Sequence, residues 1–171
     1  MRIKKQVMVT RTSKTLLQLA QEVIQTLRRR SEALALAESC TGGLVSSALV
    51  QVPNASNVWQ GSIVCYANSA KVDLLKISAK LLKKYGAVSE PVALKMAHGA
   101  KKYLKADWGV GITGIAGPSG GSIEKPVGLV FIALVGPEVE EVLRCRFKGS
   151  RAAVQKGATK KALEVLLANL K

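Results

Sequence analysis

A chain of 171 residues, 48% of them hydrophobic, is long enough to bury a real core, which excludes an intrinsically disordered protein and sets one domain as the expectation. Only 4% is aromatic, so core volume must come from Leu, Val, Ile and Ala, as in layered α/β proteins. The formal charge of +15 points toward anionic partners. The basic residues spread along expected helix faces without interleaved aromatics, however, which argues against nucleic-acid binding as the main function.

Residues 1–13 read as a basic, flexible lead-in, and residues 14–171 as the single folded domain. Ser13 is placed to cap a helix over Leu16, Leu19, Ala20, Val23, Ile24 and Leu27, which ends in Arg28-Arg29-Arg30. Cations in a last helical turn complement the helix dipole, so this run reads as a solvated terminus. A strand over Ala33 to Ala37 follows, then a turn at Glu38 to Gly43 and a helix to Gln51. Val58 to Tyr66 reads as a second strand, after a loop at Pro53 to Ser56.

Asn68 is expected to cap a helix over Ala70 to Lys76, and a further helical piece covers Ser78 to Lys84, closed by Gly86. Ser89-Glu90-Pro91 is a strong helix start. Trp108 to Thr113 is a third strand, running into a glycine-rich loop at Gly114 to Gly121. Gly128 to Val135 and Val139 to Phe147 form an expected hairpin, and a final helix covers Ser150 to Leu170. This order implies a mixed β-sheet with helices on both faces.

Three separated cysteines, Cys40, Cys65 and Cys145, and a single His98 offer no zinc-ligand spacing and no disulfide framework, which suits the cytoplasm. No stretch qualifies as a signal peptide or membrane span, since the opening MRIKKQVMVTRTSK lacks a continuous apolar core.

Ser39 to Ala70 and Trp108 to Ile123 contain no charged residue, and each holds a strand end followed by a turn rich in Gly, Ser or Thr. Two such turns at one sheet edge predict a single uncharged pocket. In the first, Gly42-Gly43 lets backbone N–H groups approach a ligand, and the following helix N-terminus favours an anion. The alternative is an ordinary strand-to-helix turn capped by Ser or Thr. Lys71 is the first charge after the neutral stretch and falls in a first helical turn, where the dipole and partial burial would lower its pKa. Ser39 as nucleophile, Lys71 as base and Tyr66 as proton relay make one hypothesis for attack on an amide, with oxyanion donors among Thr41 to Gly43. A surface lysine is the alternative for Lys71. Cys40 is a competing nucleophile, or a buried inert thiol. Arg151 opens the last helix as a phosphate clamp or a solvent-facing arginine.

AESCTGG at Ala37 to Gly43, YANSAK at Tyr66 to Lys71, GAVSEPVA at Gly86 to Ala93, TGIAGP at Thr113 to Pro118 and EKPVG at Glu124 to Gly128 strongly resemble the CinA C-terminal domain family. The resemblance runs from about Thr15 to Leu170. It implies a three-layer α/β/α sandwich and, from the family's characterised enzymes, hydrolysis of the carboxamide of nicotinamide mononucleotide to nicotinate mononucleotide and ammonia, in pyridine-nucleotide salvage. It also implies that no metal and no cofactor is needed. Carried over by position, Ser39 matches the family's proposed nucleophile and Tyr66 and Lys71 its partners. The substrate-binding set on these motifs is Glu38, Thr41, Gly42, Gly43, Asn68, Thr113, Gly114 and Gly117, and Arg151 matches the family's arginine at the start of the last helix. A homo-oligomer, most simply a dimer, is expected. Ser119, Ile123 and Tyr85 depart from the family pattern and bear on substrate preference. Some members carry a larger N-terminal domain that these 171 residues do not contain. Beside the amidase stands a non-catalytic nucleotide-binding regulatory domain, which has no need of Ser39, Tyr66 and Lys71 together.

Overall fold

A computed structural model describes residues 14–171; the expected lead-in at residues 1–13, and with it a cap at Ser13, lies outside them. The first helix, α1 (Leu16–Arg30), is capped by Thr15, whose hydroxyl accepts from the Gln18 amide while the Gln18 side chain returns to the Thr15 amide. This reciprocal box satisfies two N–H groups that a helix start leaves open. There follow β1 (Leu34–Glu38), α2 (Leu44–Val50), a short 3₁₀ turn (Ala55–Asn57), β2 (Trp59–Val64), α3 (Asn68–Leu75), α4 (Ala79–Tyr85) and α5 (Glu90–Tyr103). The chain closes with β3 (Trp108–Gly114), β4 (Leu129–Val135), β5 (Glu140–Arg146) and α6 (Arg151–Leu170).

The five strands form one sheet in the order β2-β1-β3-β4-β5. β1 is parallel to both its neighbours, and the β3-β4 and β4-β5 pairs are antiparallel. Strict alternation assigns the two faces. Leu34, Leu36, Val110, Ile112, Val130, Ile132 and Leu134 pack under α1, α2 and α6. Ala35 and Ala37 meet Val92, Met96 and Ala100 of α5, while Leu129, Phe131 and Ala133 meet its Ala93 and Ala97.

The second face is built from small residues, and it holds α5 unusually close. A methyl group added at Gly109 or Gly111 of β3 would stand 2.2 Å from the carbonyl oxygen of Ala97 or Ala93. No side chain larger than hydrogen fits there. The close approach fixes where α5 begins, and so fixes the loop before it against the end of β3.

Two expected caps differ. Asn68 is the first residue of α3, with Ala67 in the capping position and no side-chain acceptor. Ser89 does precede α5, but its hydroxyl donates to the Gly86 carbonyl and caps nothing.

Candidate active site

β1 leads by α2 to β2 on one side, and its other neighbour is β3. The chain therefore diverges at the carboxyl end of β1, the place where open α/β sheets leave a crevice. Glu38 and Ser39 stand there. The Ser39 amide donates to Ile112 O at 3.0 Å and the Cys65 amide to Glu38 O at 2.9 Å, which ties the turn to both neighbouring strands.

Glu38 is fully buried, and its carboxylate faces the start of α2. It accepts from the amides of Gly43 at 3.0 Å, Val45 at 3.2 Å and Ser46 at 2.9 Å, and from the hydroxyls of Thr41 and Ser46. Charge-assisted bonds to a helix N-terminus stabilise a buried carboxylate that has no cationic partner among the described residues. The helix start expected to receive a ligand anion is thus filled by the protein's own anion. The Gly42 amide is likewise used, donating to Ser39 O at 3.1 Å. Gly42 and Gly43 have φ of 61° and 95°; their freedom serves the tight turn.

Lys71 is 1% exposed and Ser39 7%. The Lys71 Nζ lies 3.0 Å from Ser39 Oγ, 2.8 Å from Cys65 O and 3.0 Å from Tyr66 O. Among the described residues no carboxylate pairs with it. Burial holds its pKa below the ordinary lysine value, with the Cys65 and Cys40 thiols opposing this only in part. Those thiols offer no countercharge at neutral pH, because burial raises both, Cys40 to about 12. A neutral Lys71 has two N–H groups and one lone pair. In that neutral form, with the N–H groups donated to the two carbonyls, the lone pair is left for the Ser39 hydroxyl.

A cavity of about 150 Å³ opens over this pair. Ser39 and Cys40 line it from the β1 turn, Tyr66, Asn68 and Lys71 from the start of α3, and Thr113, Gly114 and Ala116 from the end of β3. Ala87 and Val88 close it from the loop before α5, and Arg151 from the start of α6. Thr113 Oγ1 donates to Ala87 O at 2.9 Å, joining β3 to that loop. The Arg151 guanidinium donates to Gly117 O and to the Tyr66 hydroxyl, both at 2.9 Å.

The two neutral turns do meet in one cavity, but it is not uncharged. Lys71 and Arg151 both enter it, and among the described residues no acidic one lines it. Glu38, Thr41, Gly42, Gly43 and Gly117 stand behind the wall, Glu38 as the clamp of the turn and Gly117 through its carbonyl on Arg151. Ser119, Ile123 and Tyr85 do not line it either. Tyr66 is 62% exposed, and its hydroxyl is engaged by Arg151, while Ser39 and Lys71 touch directly. A relay between them has nothing to bridge.

Gln155 was not legible as a site residue. Its side-chain amide donates to Cys40 O at 2.9 Å, holding the turn next to Ser39. The signal that finds it is its spacing, one helical turn from Arg151 on the same face of α6.

The family model for the CinA C-terminal domain matches residues 16–170. The chain belongs to this family. It is similar to the CinA-like protein of Anaeromyxobacter sp. (strain K), 49% identical over 149 residues, which cover 87% of this chain and 36% of that protein. Against the CinA-like protein of Synechococcus sp. (strain RCC307) it is 54% identical over 120 residues, 70% of this chain and 29% of that one. The chain spans about a third of the length of the curated relatives it matches. Among solved structures, the CinA superfamily protein ECK1530/EC0983 from Escherichia coli superposes with a TM-score of 0.90 at 32% identity, covering 100% of this chain and 99% of that one. The competence/damage inducible protein CihA from Agrobacterium tumefaciens gives 0.84 at 38% identity, covering 94% and 98%. The mixed five-stranded sheet is the fold of the CinA superfamily.

Proposed function

We propose that this CinA domain is an amidohydrolase acting on the carboxamide of nicotinamide mononucleotide. The observation that carries the reading is the contact between a buried lysine with no carboxylate partner and a serine hydroxyl, at the floor of a cavity whose mouth holds an arginine. A nucleotide-binding regulatory domain needs such a cavity, but gains nothing from a desolvated amine aimed at a hydroxyl.

In the proposed reaction Ser39 Oγ attacks the carboxamide carbon as its proton passes to Lys71 Nζ. The resulting ammonium returns that proton to the departing amide nitrogen. Ammonia leaves, and an ester remains on Ser39. Water then attacks the ester carbon, Lys71 again takes the proton, and Ser39 departs with it to give nicotinate mononucleotide. The Gly42 and Gly43 amides are already committed, so the developing oxyanion falls to the amide of Cys40, which lines the cavity and for which the described residues provide no acceptor within hydrogen-bonding geometry. Arg151 binds the substrate phosphate, with Tyr66 positioning its guanidinium. Asn68 and Thr113 line the cavity beside the reacting pair.

Incubation of the purified protein with nicotinamide mononucleotide tests this reading through its two products. Ammonia and nicotinate mononucleotide in equal amounts are expected; tight binding of the mononucleotide with no ammonia would favour the regulatory domain instead.

A further inference from the structure

The lysines that look dispersed in the sequence converge on a second groove, formed where α4 and the end of α3 meet α5. It encloses about 670 Å³, and Leu75, Ile77, Leu81 and Gly99 form its floor. Lys76, Lys80, Lys84, Lys95 and Lys102 surround it, and among the described residues no Asp or Glu lines it. Among the described residues none of the five pairs with a carboxylate. Lys80 and Lys84 are one turn apart on α4, and Lys95 and Lys102 two turns apart on α5, so each helix turns a cationic edge to the groove.

Both helices end in the same tripeptide, Lys83-Lys84-Tyr85 and Lys101-Lys102-Tyr103. Both tyrosines line the groove, and they are 39% and 40% exposed. The Lys84 ammonium stands 4.8 Å from the Tyr85 ring centre and that of Lys102 5.7 Å from the Tyr103 ring centre. Aromatic faces beside uncompensated cations are therefore present, at a distance along the chain that helix packing removes.

We infer that this groove binds single-stranded nucleic acid, phosphates on the lysines and unpaired bases stacked on Tyr85 and Tyr103. Stacking on exposed rings within a basic groove is the general means of holding single strands without sequence preference. A duplex hides its base faces from such rings. An acidic peptide would neutralise the lysines but leave both rings without a stacking partner. A second copy of the chain brings its own charge of +15, and residues 1–13 contain four basic and no acidic residues, so neither complements the groove. The inference does not depend on the amidase reading.

Fluorescence anisotropy of a short labelled oligothymidylate, titrated at several salt concentrations, tests it. The parent is expected to bind with an affinity that falls steeply with salt. Combined Lys80→Glu, Lys84→Glu and Lys102→Glu should abolish binding and flatten the salt dependence. Tyr85→Ala and Tyr103→Ala should each weaken binding about five- to a hundredfold, while Tyr85→Phe, which keeps the ring, should bind as the parent does. Should the triple charge reversal melt, the two tyrosine variants carry the test alone. Lys156→Glu with Lys160→Glu on α6 should change affinity little. The inference is overturned if those α6 reversals weaken binding as much as the groove reversals, or if polyglutamate competes as well as the oligonucleotide. It is equally overturned if the tyrosine variants keep parental affinity, or if sedimentation shows them dissolving a dimer seated on the groove.

Discussion

Glu38 and Ser39 are consecutive in the chain, yet their side chains serve opposite purposes: one carboxylate fixes the helix that follows, and one hydroxyl meets the Lys71 amine at 3.0 Å. Placing the buried carboxylate and the buried amine in adjacent compartments keeps the Glu38 charge from holding a proton on Lys71. Glu38 spends its charge on α2, so Lys71 gains no carboxylate partner and its pKa stays low.

That separation makes the pH behaviour of Lys71 a test. The kcat/KM for ammonia release is expected to rise as Lys71 loses its proton, with a midpoint below the usual lysine value. Lys71→Arg, which cannot deprotonate, should be inactive throughout. The linkage has the matching sign. Between the depressed folded value and the ordinary unfolded one, the unfolded chain holds a proton the native state lacks, so stability rises with pH across that window. In Lys71→Met this rise should vanish, and at neutral pH the variant should melt at or above the parent temperature. A clearly lower melting temperature would show that the amine's three hydrogen bonds outweigh the cost of burying it.

Glu38→Gln keeps the shape but removes the charge from the α2 start and puts an amide group among amide donors. A loss of about 3 kcal/mol in urea unfolding is expected, from weakened bonds to a charged acceptor and unsatisfied N–H groups. A change within about 0.5 kcal/mol, as for an ordinary surface substitution, would mean that the turn holds without the clamp.

Cys40 lies next to Ser39, and its thiol stays protonated far above neutral pH because burial raises its pKa to about 12. Cys40→Ala is therefore expected to retain most ammonia release, and iodoacetamide at neutral pH should leave the parent active. Loss of turnover on alkylation, reproduced by Cys40→Ala, would move the nucleophile from Ser39 to Cys40.

Arg151 and Tyr66 share one hydrogen bond at the cavity mouth. Arg151→Ala should raise KM for the mononucleotide several-fold more than for the corresponding nucleoside, and Tyr66→Phe should raise it more mildly with kcat nearly kept. A collapse of kcat in Tyr66→Phe, with KM unchanged, would restore the phenol to the proton path.

The fold was legible because its strands and helices carry strong periodic signals, as in the alternating Leu34-Ala35-Leu36-Ala37 and the apolar stripe of α1. Ser39, Tyr66, Lys71 and Arg151 could be named as candidates from residue type and position. Their division of labour could not. Whether the carboxylate of Glu38 turns to the cavity or to α2 depends on five donors, from Thr41 to Ser46, that only the folded turn brings together. The Tyr66 hydroxyl meets an arginine 85 residues away, a distance at which no local pattern operates. The lysine and tyrosine groove escaped for the same reason, since its two edges belong to helices whose packing the sequence does not spell out.

The most direct measurement is ammonia release from nicotinamide mononucleotide by the purified protein beside its Ser39→Ala variant, with ligand affinity measured in both. Removing a group that acts mainly in the transition state lowers kcat while leaving binding nearly unchanged. The expected result is parental affinity with turnover lost by at least about a thousandfold. Ammonia release by Ser39→Ala at the parental rate would contradict the assignment of Ser39 and Lys71 as the reacting pair.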